Sequence, residues 1–75
     1  MREFLWNMYE SVCHAIVNET VNMAFPNYEW ESGRAYAFAQ LAAELGEEEL
    51  QEKFYDLYLH TAEYGQETAK LLFGE

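Results

Sequence analysis

Two histidines in this sequence each stand four residues after a carboxylate, a spacing that suits metal coordination. Glu10 precedes His14, and Asp56 precedes His60, so each pair would share one face of a helix. Imidazole and carboxylate groups are both ligands of zinc and iron. The sequence contains neither an HExxH motif nor the paired ExxH motifs of di-iron bundles. We therefore expect no cofactor. A small helical metal-binding protein is kept as a third possible function, behind the two that are described below.

Nucleophilic catalysis would have to use Cys13, the one cysteine of the chain. On a helix, His14 would point about 100° away from Cys13 and is poorly placed to act as its base, so His60 would have to come from another helix. No glycine-rich loop accompanies the pair to bind an anion. The sequence thus predicts that the protein is not an enzyme and that Cys13 is a small buried hydrophobe. A lone cysteine also excludes an intramolecular disulfide.

The strongest chemical signal is an excess of negative charge. Fourteen acidic residues oppose four basic ones, which gives a net charge of −10. Nucleic acids and anionic membranes need a basic surface, so neither is expected as a direct ligand. Long-range attraction favours a larger protein or complex with a basic surface as the partner. The alternative is that the charge only keeps an aromatic-rich surface soluble.

Acidic and aromatic residues together define a candidate partner-binding surface. A helical row of carboxylates can mimic the charge spacing of a nucleic-acid backbone, and aromatic rings are good anchors at interfaces. The first acids of the third predicted helix also suit its positive dipole end, whereas the later ones have no such local reason. The predicted partner-binding residues are Glu48, Glu49, Glu52, Asp56, Glu63, Glu67, Tyr55, Tyr58, Tyr28, Glu29, Trp30 and Glu31.

Three helices would position these side chains. Apolar residues recur at helical spacing and predict helices at about 2–24, 32–45 and 47–72. The short connections predict an all-α, up-down-up three-helix bundle that forms a single domain over residues 1–75. The predicted core stripe of the third helix is Leu50, Phe54, Leu57, Thr61, Tyr64, Thr68 and Leu71.

Helix boundaries follow from a few punctuating residues. Pro26 disfavours helical backbone just before it and ends the first helix. Ser32 is the predicted N-cap of the second helix, and Asn27 is the alternative, which would place Gly33 inside the helix. Gly65 interrupts the third helix and marks a kink, a close helix contact or an early end.

The N-terminus has one basic residue, Arg2, followed by Glu3 and Glu10, which is neither a signal nor a transit peptide. No apolar run approaches the ~20 residues of a membrane span. We therefore expect no membrane contact and a location in the cytoplasm of the host cell. Two Trp, six Tyr and five Phe exceed what so small a core hides, so some rings should be exposed.

At the level of a class, the chain resembles the small acidic helical proteins of phages and mobile elements, including anti-CRISPR proteins. The resemblance rests on its 75 residues, its charge of −10, the absence of a targeting segment and the acid row EEELQE…D with Tyr and Trp nearby. It implies a non-enzymatic inhibitor that occupies a basic nucleic-acid groove or a subunit interface of a host defence complex, such as a CRISPR effector. The main alternative is a homo-oligomeric structural or assembly subunit, such as a homodimer, with its rings buried between copies.

Overall fold

The computed structural model describes residues 2–22 and 27–73, except for the side chains of Tyr64, Gln66 and Phe73. These residues form three α-helices and no strand: α1 (Arg2–Asn22), α2 (Tyr28–Glu44) and α3 (Glu48–Phe73). The predicted all-α class is confirmed. The predicted end of the first helix, at residue 24, lies outside the described residues. No helix in the described part of the chain combines the length and apolar character that crossing a membrane requires.

Contacts among the helices fix their relative directions. Arg2, at the start of α1, binds Glu47, just before α3, with 2.6 Å between Nη1 and Oε2. Phe4 of α1 instead contacts Phe38, in the second half of α2, with ring centroids 6.5 Å apart. Phe38 also packs on Phe54 of α3, at 5.4 Å between centroids. α1 and α3 therefore begin at the end of the molecule where α2 finishes.

Small and medium side chains from all three helices form the core. Alanines on the inner side of α2 allow the neighbouring helices to approach closely, and Phe54 of α3 is a large, fully buried side chain. Cys13 is also buried, as predicted. The buried apolar residues are Leu5, Val12, Cys13, Ile16, Ala35, Ala39, Ala42, Leu50, Phe54, Leu57 and Ala69.

The structure corrects the predicted start of the second helix. Asn27 is the N-cap, because its side-chain oxygen accepts a hydrogen bond from the backbone N–H of Trp30 at 3.1 Å. Glu19 of α1 holds Asn27 in place by accepting from its backbone N–H at 2.9 Å. α2 therefore begins at Tyr28, a turn earlier than a Ser32 cap allows. Ser32 lies buried within the helix.

α3 bends in the stretch that contains Gly65. His60 Nδ1 and Thr68 Oγ1 share a hydrogen bond at 2.5 Å. In a straight helix, residues eight apart are separated by about 12 Å along the axis, which is farther than these two side chains reach. The ring of Tyr28 packs directly against Gly65, where a side chain would overlap with it. Of the predicted alternatives, the kink and the close contact are thus both present, and the helix continues to Phe73.

Beyond Gly65, one position of the predicted core stripe of α3 is wrong. The predicted stripe is buried from Leu50 to Thr61 and again at Thr68, which is 4% exposed. Leu71 is 57% exposed and was wrongly predicted as core. Ala69 is buried instead, and Leu72 packs against the core. A constant helical period therefore predicts the core of α3 correctly on both sides of Gly65, except at Leu71, where the next residue packs inward instead.

Candidate partner-binding surface

An exposed row of carboxylates runs along the side of α3 that faces away from the core. Glu48, Glu52 and Asp56 are four residues apart, so they rise by about 6 Å per step. They line a shallow groove together with Gln51 and Tyr55. All six acids predicted on this helix are exposed: Glu48, Glu49, Glu52, Asp56, Glu63 and Glu67.

Most of this row has no counter-charge within the described structure. Arg2 binds Glu47 and Glu49, with nitrogen–oxygen distances of 2.6 and 3.4 Å. Lys53 is drawn to the other side of α3, where its Nζ lies 5.5 Å from the ring centroid of Trp6. Among the described residues, no ion pair involves Glu48, Glu52, Asp56, Glu63 or Glu67.

Tyrosine rings and a leucine border the carboxylates. Tyr55 and Leu59, one turn apart on α3, are 46% and 41% exposed. Tyr58 is half-buried, with its ring centroid 5.8 Å from that of Tyr55 and 4.9 Å from that of Tyr36 on α2. The structure thus brings the predicted Tyr55 and Tyr58 together with the acids. We define the α3 face as the exposed surface formed by Glu48, Glu52, Tyr55, Asp56, Leu59 and Glu63.

Sequence reasoning missed two residues of this region. Leu59 stands four residues after Tyr55, so the spacing itself placed both on one side of the helix. Tyr36 belongs to another helix, and its position beside Tyr58 depends on the register between α2 and α3. Nothing in the local sequence specifies that register.

The residues predicted near the start of the second helix lie apart from the α3 face. Trp30 is 63% exposed and, with Glu29, lines a groove whose walls come from α2 alone. Tyr28 turns inward against Gly65, and its hydroxyl lies 2.5 Å from Thr20 Oγ1 of α1. Tyr28 therefore ties the three helices together, whereas Trp30 and Glu29 belong to a second exposed surface.

Glu31 was predicted to face a partner, but it is only 4% exposed. Its Oε1 accepts a hydrogen bond from Arg34 Nη1 at 2.9 Å, and Arg34 also reaches Ser11 Oγ of α1 at 3.4 Å. Burial raises the pKa of Glu31 to about 7, and the nearby Glu19 adds to the rise while Arg34 opposes it. In this arrangement Glu31 belongs to the α1–α2 interface.

The raised pKa of Glu31 makes folding stability depend on pH. The folded chain keeps this proton up to about pH 7, whereas a free carboxyl releases it near 4.5. Between these values the folded state binds more protons than the unfolded state, so a rise in pH lowers the free energy of unfolding. The contribution is fully present below pH 4.5 and is lost as the pH passes about 7.

The candidate metal ligands lie on two helices, and Cys13 is buried in the core. Across residues 2–22 and 27–73, no group of three or more histidine, cysteine or acidic side chains is placed to hold a metal ion. Glu10 and His14 are exposed on α1, while Asp56 and His60 line a different groove. Burial raises the pKa of the Cys13 thiol, which reduces its thiolate fraction and hence its nucleophilicity.

Comparison with protein-family models, with curated protein sequences and with solved structures finds no match to this chain. Its function therefore has to be inferred from the chemistry of its own surface. The feature that stands out is the α3 face, where the exposed side chains of Tyr55 and Leu59 adjoin carboxylates that lack counter-charges in the described structure.

Proposed function

We propose that this chain is a non-enzymatic inhibitor that binds a larger protein and occludes a basic, nucleic-acid-binding surface. The observation that carries the proposal is the α3 face. Lysine and arginine on the target would provide the counter-charges that its carboxylates lack, and steer the encounter. The ring of Tyr55, exposed in the free protein, would lose its water on binding and anchor the interface. In this proposal the three helices act as an up-down-up bundle that presents the face.

The carboxylate row destabilises the free protein, which argues that it has a role outside the fold. Glu48–Glu52 and Glu52–Asp56 are like-charged pairs at a spacing of four, each destabilising by about 0.2–0.5 kcal/mol. The helix dipole accounts for Glu48 in the first turn but not for Glu52 or Asp56. A basic partner would convert this repulsion into attraction. Solubility alone would be served as well by acids placed singly.

The resemblance to anti-CRISPR proteins makes the nucleic-acid-binding subunits of host defence complexes the first targets to test. Binding of these proteins to the immobilised chain would be measured at salt concentrations from about 0.05 to about 0.5 M. Across this range the electrostatic screening length becomes shorter than about 10 Å. We expect the affinity for the target to fall steeply across this range. We also expect the chain and the nucleic acid to compete for the same surface of the target. Binding that ignores both salt and nucleic acid would contradict the proposal.

A single substitution separates binding from folding. Glu52→Gln removes both like-charged pairs, so the free energy of unfolding should rise by about 0.4–1 kcal/mol at low salt. The same change should weaken target binding several-fold. Glu10→Gln is the matched control, because Glu10 is an exposed acid of α1 with no acidic residue four positions away. If both variants weaken binding equally, net charge matters and the α3 face does not.

The homo-oligomer alternative has one specific observation in its favour. A groove between α1 and the end of α3 is lined by His14, Val17, Asn18, Val21, Asn22 and Leu72, with no carboxylate among them. Val21 is 63% exposed, so a second copy could cover it without charge repulsion. Light scattering across a concentration series tests this function. A dimer that Val21→Asp dissociates would support it, and a monomer at high concentration would exclude it.

A further inference from the structure

The α3 face is built from two neighbouring ridges. Residues four apart on a helix form a ridge, and a groove separates one ridge from the next. One ridge carries Glu48, Glu52 and Asp56. The other carries Tyr55 and Leu59 in its middle, with Gln51 before them and Glu63 after them. The shallow groove lined by residues of both ridges is the gap between them. The surface is thus acidic along one edge, and the middle of the other edge is apolar.

We propose that the target element bound by the α3 face is an amphipathic α-helix with an apolar ridge beside a ridge of lysine or arginine. The apolar ridge would pack on Tyr55 and Leu59, and the basic ridge would follow the carboxylates. This inference rests on the proposed function and specifies which part of the target is recognised. It differs from a simple cluster of basic side chains, which would leave Leu59 without a role.

The geometry of helices favours this occupant. Residues four apart rise by about 6 Å on any α-helix, so basic residues at that spacing match the acids step for step. Ridges of one helix pack into the grooves of another, and the groove of the α3 face is open to receive one. An extended strand repeats its side chains on one face every ~6.6 Å but carries no second ridge beside the first.

The length and stiffness of the face set the size of the target helix. From Glu48 to Glu63 the axis rises by about 22 Å, which is about four turns. The ring of Tyr55 packs on that of Tyr58, which in turn packs on Tyr36 of α2, so little freedom is lost when Tyr55 becomes an anchor. A second copy of this chain is a poor occupant, because its own α3 face would bring carboxylates against carboxylates.

The test uses two fluorescent peptides of identical composition, rich in leucine, lysine and alanine. In the first, leucine and lysine occupy adjacent four-residue ridges, whereas in the second they are permuted around the helix. Circular dichroism would confirm equal helicity, and fluorescence anisotropy would give the affinities. We expect the first peptide to bind at least about tenfold more tightly to the intact protein. Leu59→Gln should abolish that preference, whereas Leu71→Gln, which alters another exposed leucine of α3, should leave it intact.

The outcomes separate this inference from the proposed function. Equal affinity for both peptides would overturn the helix inference and leave a basic surface as the target. Failure of both peptides to bind at low salt would count against the α3 face itself, and so against both proposals. A tenfold preference that survives Leu59→Gln would also overturn the inference, because the apolar ridge would then have no part in it.

Discussion

Gly65→Ala should destabilise this protein, although helix propensity alone predicts the reverse. Gly65 lies inside α3, where alanine is favoured by about 1 kcal/mol. In the folded structure, however, a Cβ atom at this position would lie 2.5 Å from Cγ and 2.8 Å from Cε2 of Tyr28. Both separations are well below a normal carbon–carbon contact, so the ring would have to move.

The size of the effect follows from what Tyr28 would lose. Forcing an extra carbon into a well-packed site costs about 1–3 kcal/mol. A shift of the ring would also disturb the hydrogen bond between its hydroxyl and Thr20, and such bonds contribute about 0.5–1.5 kcal/mol. Subtracting the propensity gain of about 1 kcal/mol leaves an expected net loss of about 2 kcal/mol.

Urea unfolding followed by circular dichroism measures the difference, with Gly33→Ala as the matched control. Gly33 is also inside a helix, but a Cβ atom there would have no neighbour within 4 Å, so that variant should gain about 1 kcal/mol. In a Tyr28→Ala background, Gly65→Ala should become neutral or stabilising. If both glycine variants raise stability equally in the intact chain, the ring of Tyr28 does not pack on Gly65.

Two further substitutions test buried polar groups. Thr61 Oγ1 is buried with no hydrogen-bond partner in the described structure. The isosteric Thr61→Val should therefore raise the free energy of unfolding by about 1 kcal/mol in urea unfolding. A clear loss of stability would show that the hydroxyl has a partner. Glu31→Gln keeps the shape of the protonated carboxyl, so it should gain stability relative to the unmodified chain as pH rises from 4.5 to about 7. Parallel thermal melts across that range check this, and a constant difference between the two proteins would contradict the raised pKa of Glu31.

The sequence predicted the fold well where local rules decide the outcome. The all-α class followed from apolar periodicity, and Leu50, Phe54 and Leu57 are buried as their spacing requires. One error concerned the start of the second helix. Ser32 and Asn27 are both good N-cap residues when the local sequence is considered alone. Asn27 is the cap in the folded chain, where its backbone N–H donates a hydrogen bond to Glu19 of α1. That contact cannot be read from the local sequence.

Some residues of the candidate site could be predicted from local spacing, and others depend on contacts between helices. Exposure of Glu52 and Tyr55 follows from their position opposite the core stripe of α3, which the sequence reveals. Burial of Glu31 does not, because it depends on Arg34 and on α1 residues that come close only in the folded chain. Pairwise proximity within one helix is encoded by spacing, whereas proximity between helices needs their register.

The position of the α3 face within the fold bears on how it would bind. Directly behind it are Leu50 and Phe54, both fully buried, so this half of α3 is anchored in the core. The bend at Gly65 lies beyond Glu63, toward the end of the helix. A face fixed in this way loses little conformational freedom on association, so more of the interaction energy contributes to affinity. Firm packing behind the row also lets the helix tolerate the repulsion among its carboxylates, which a marginal isolated helix would not withstand.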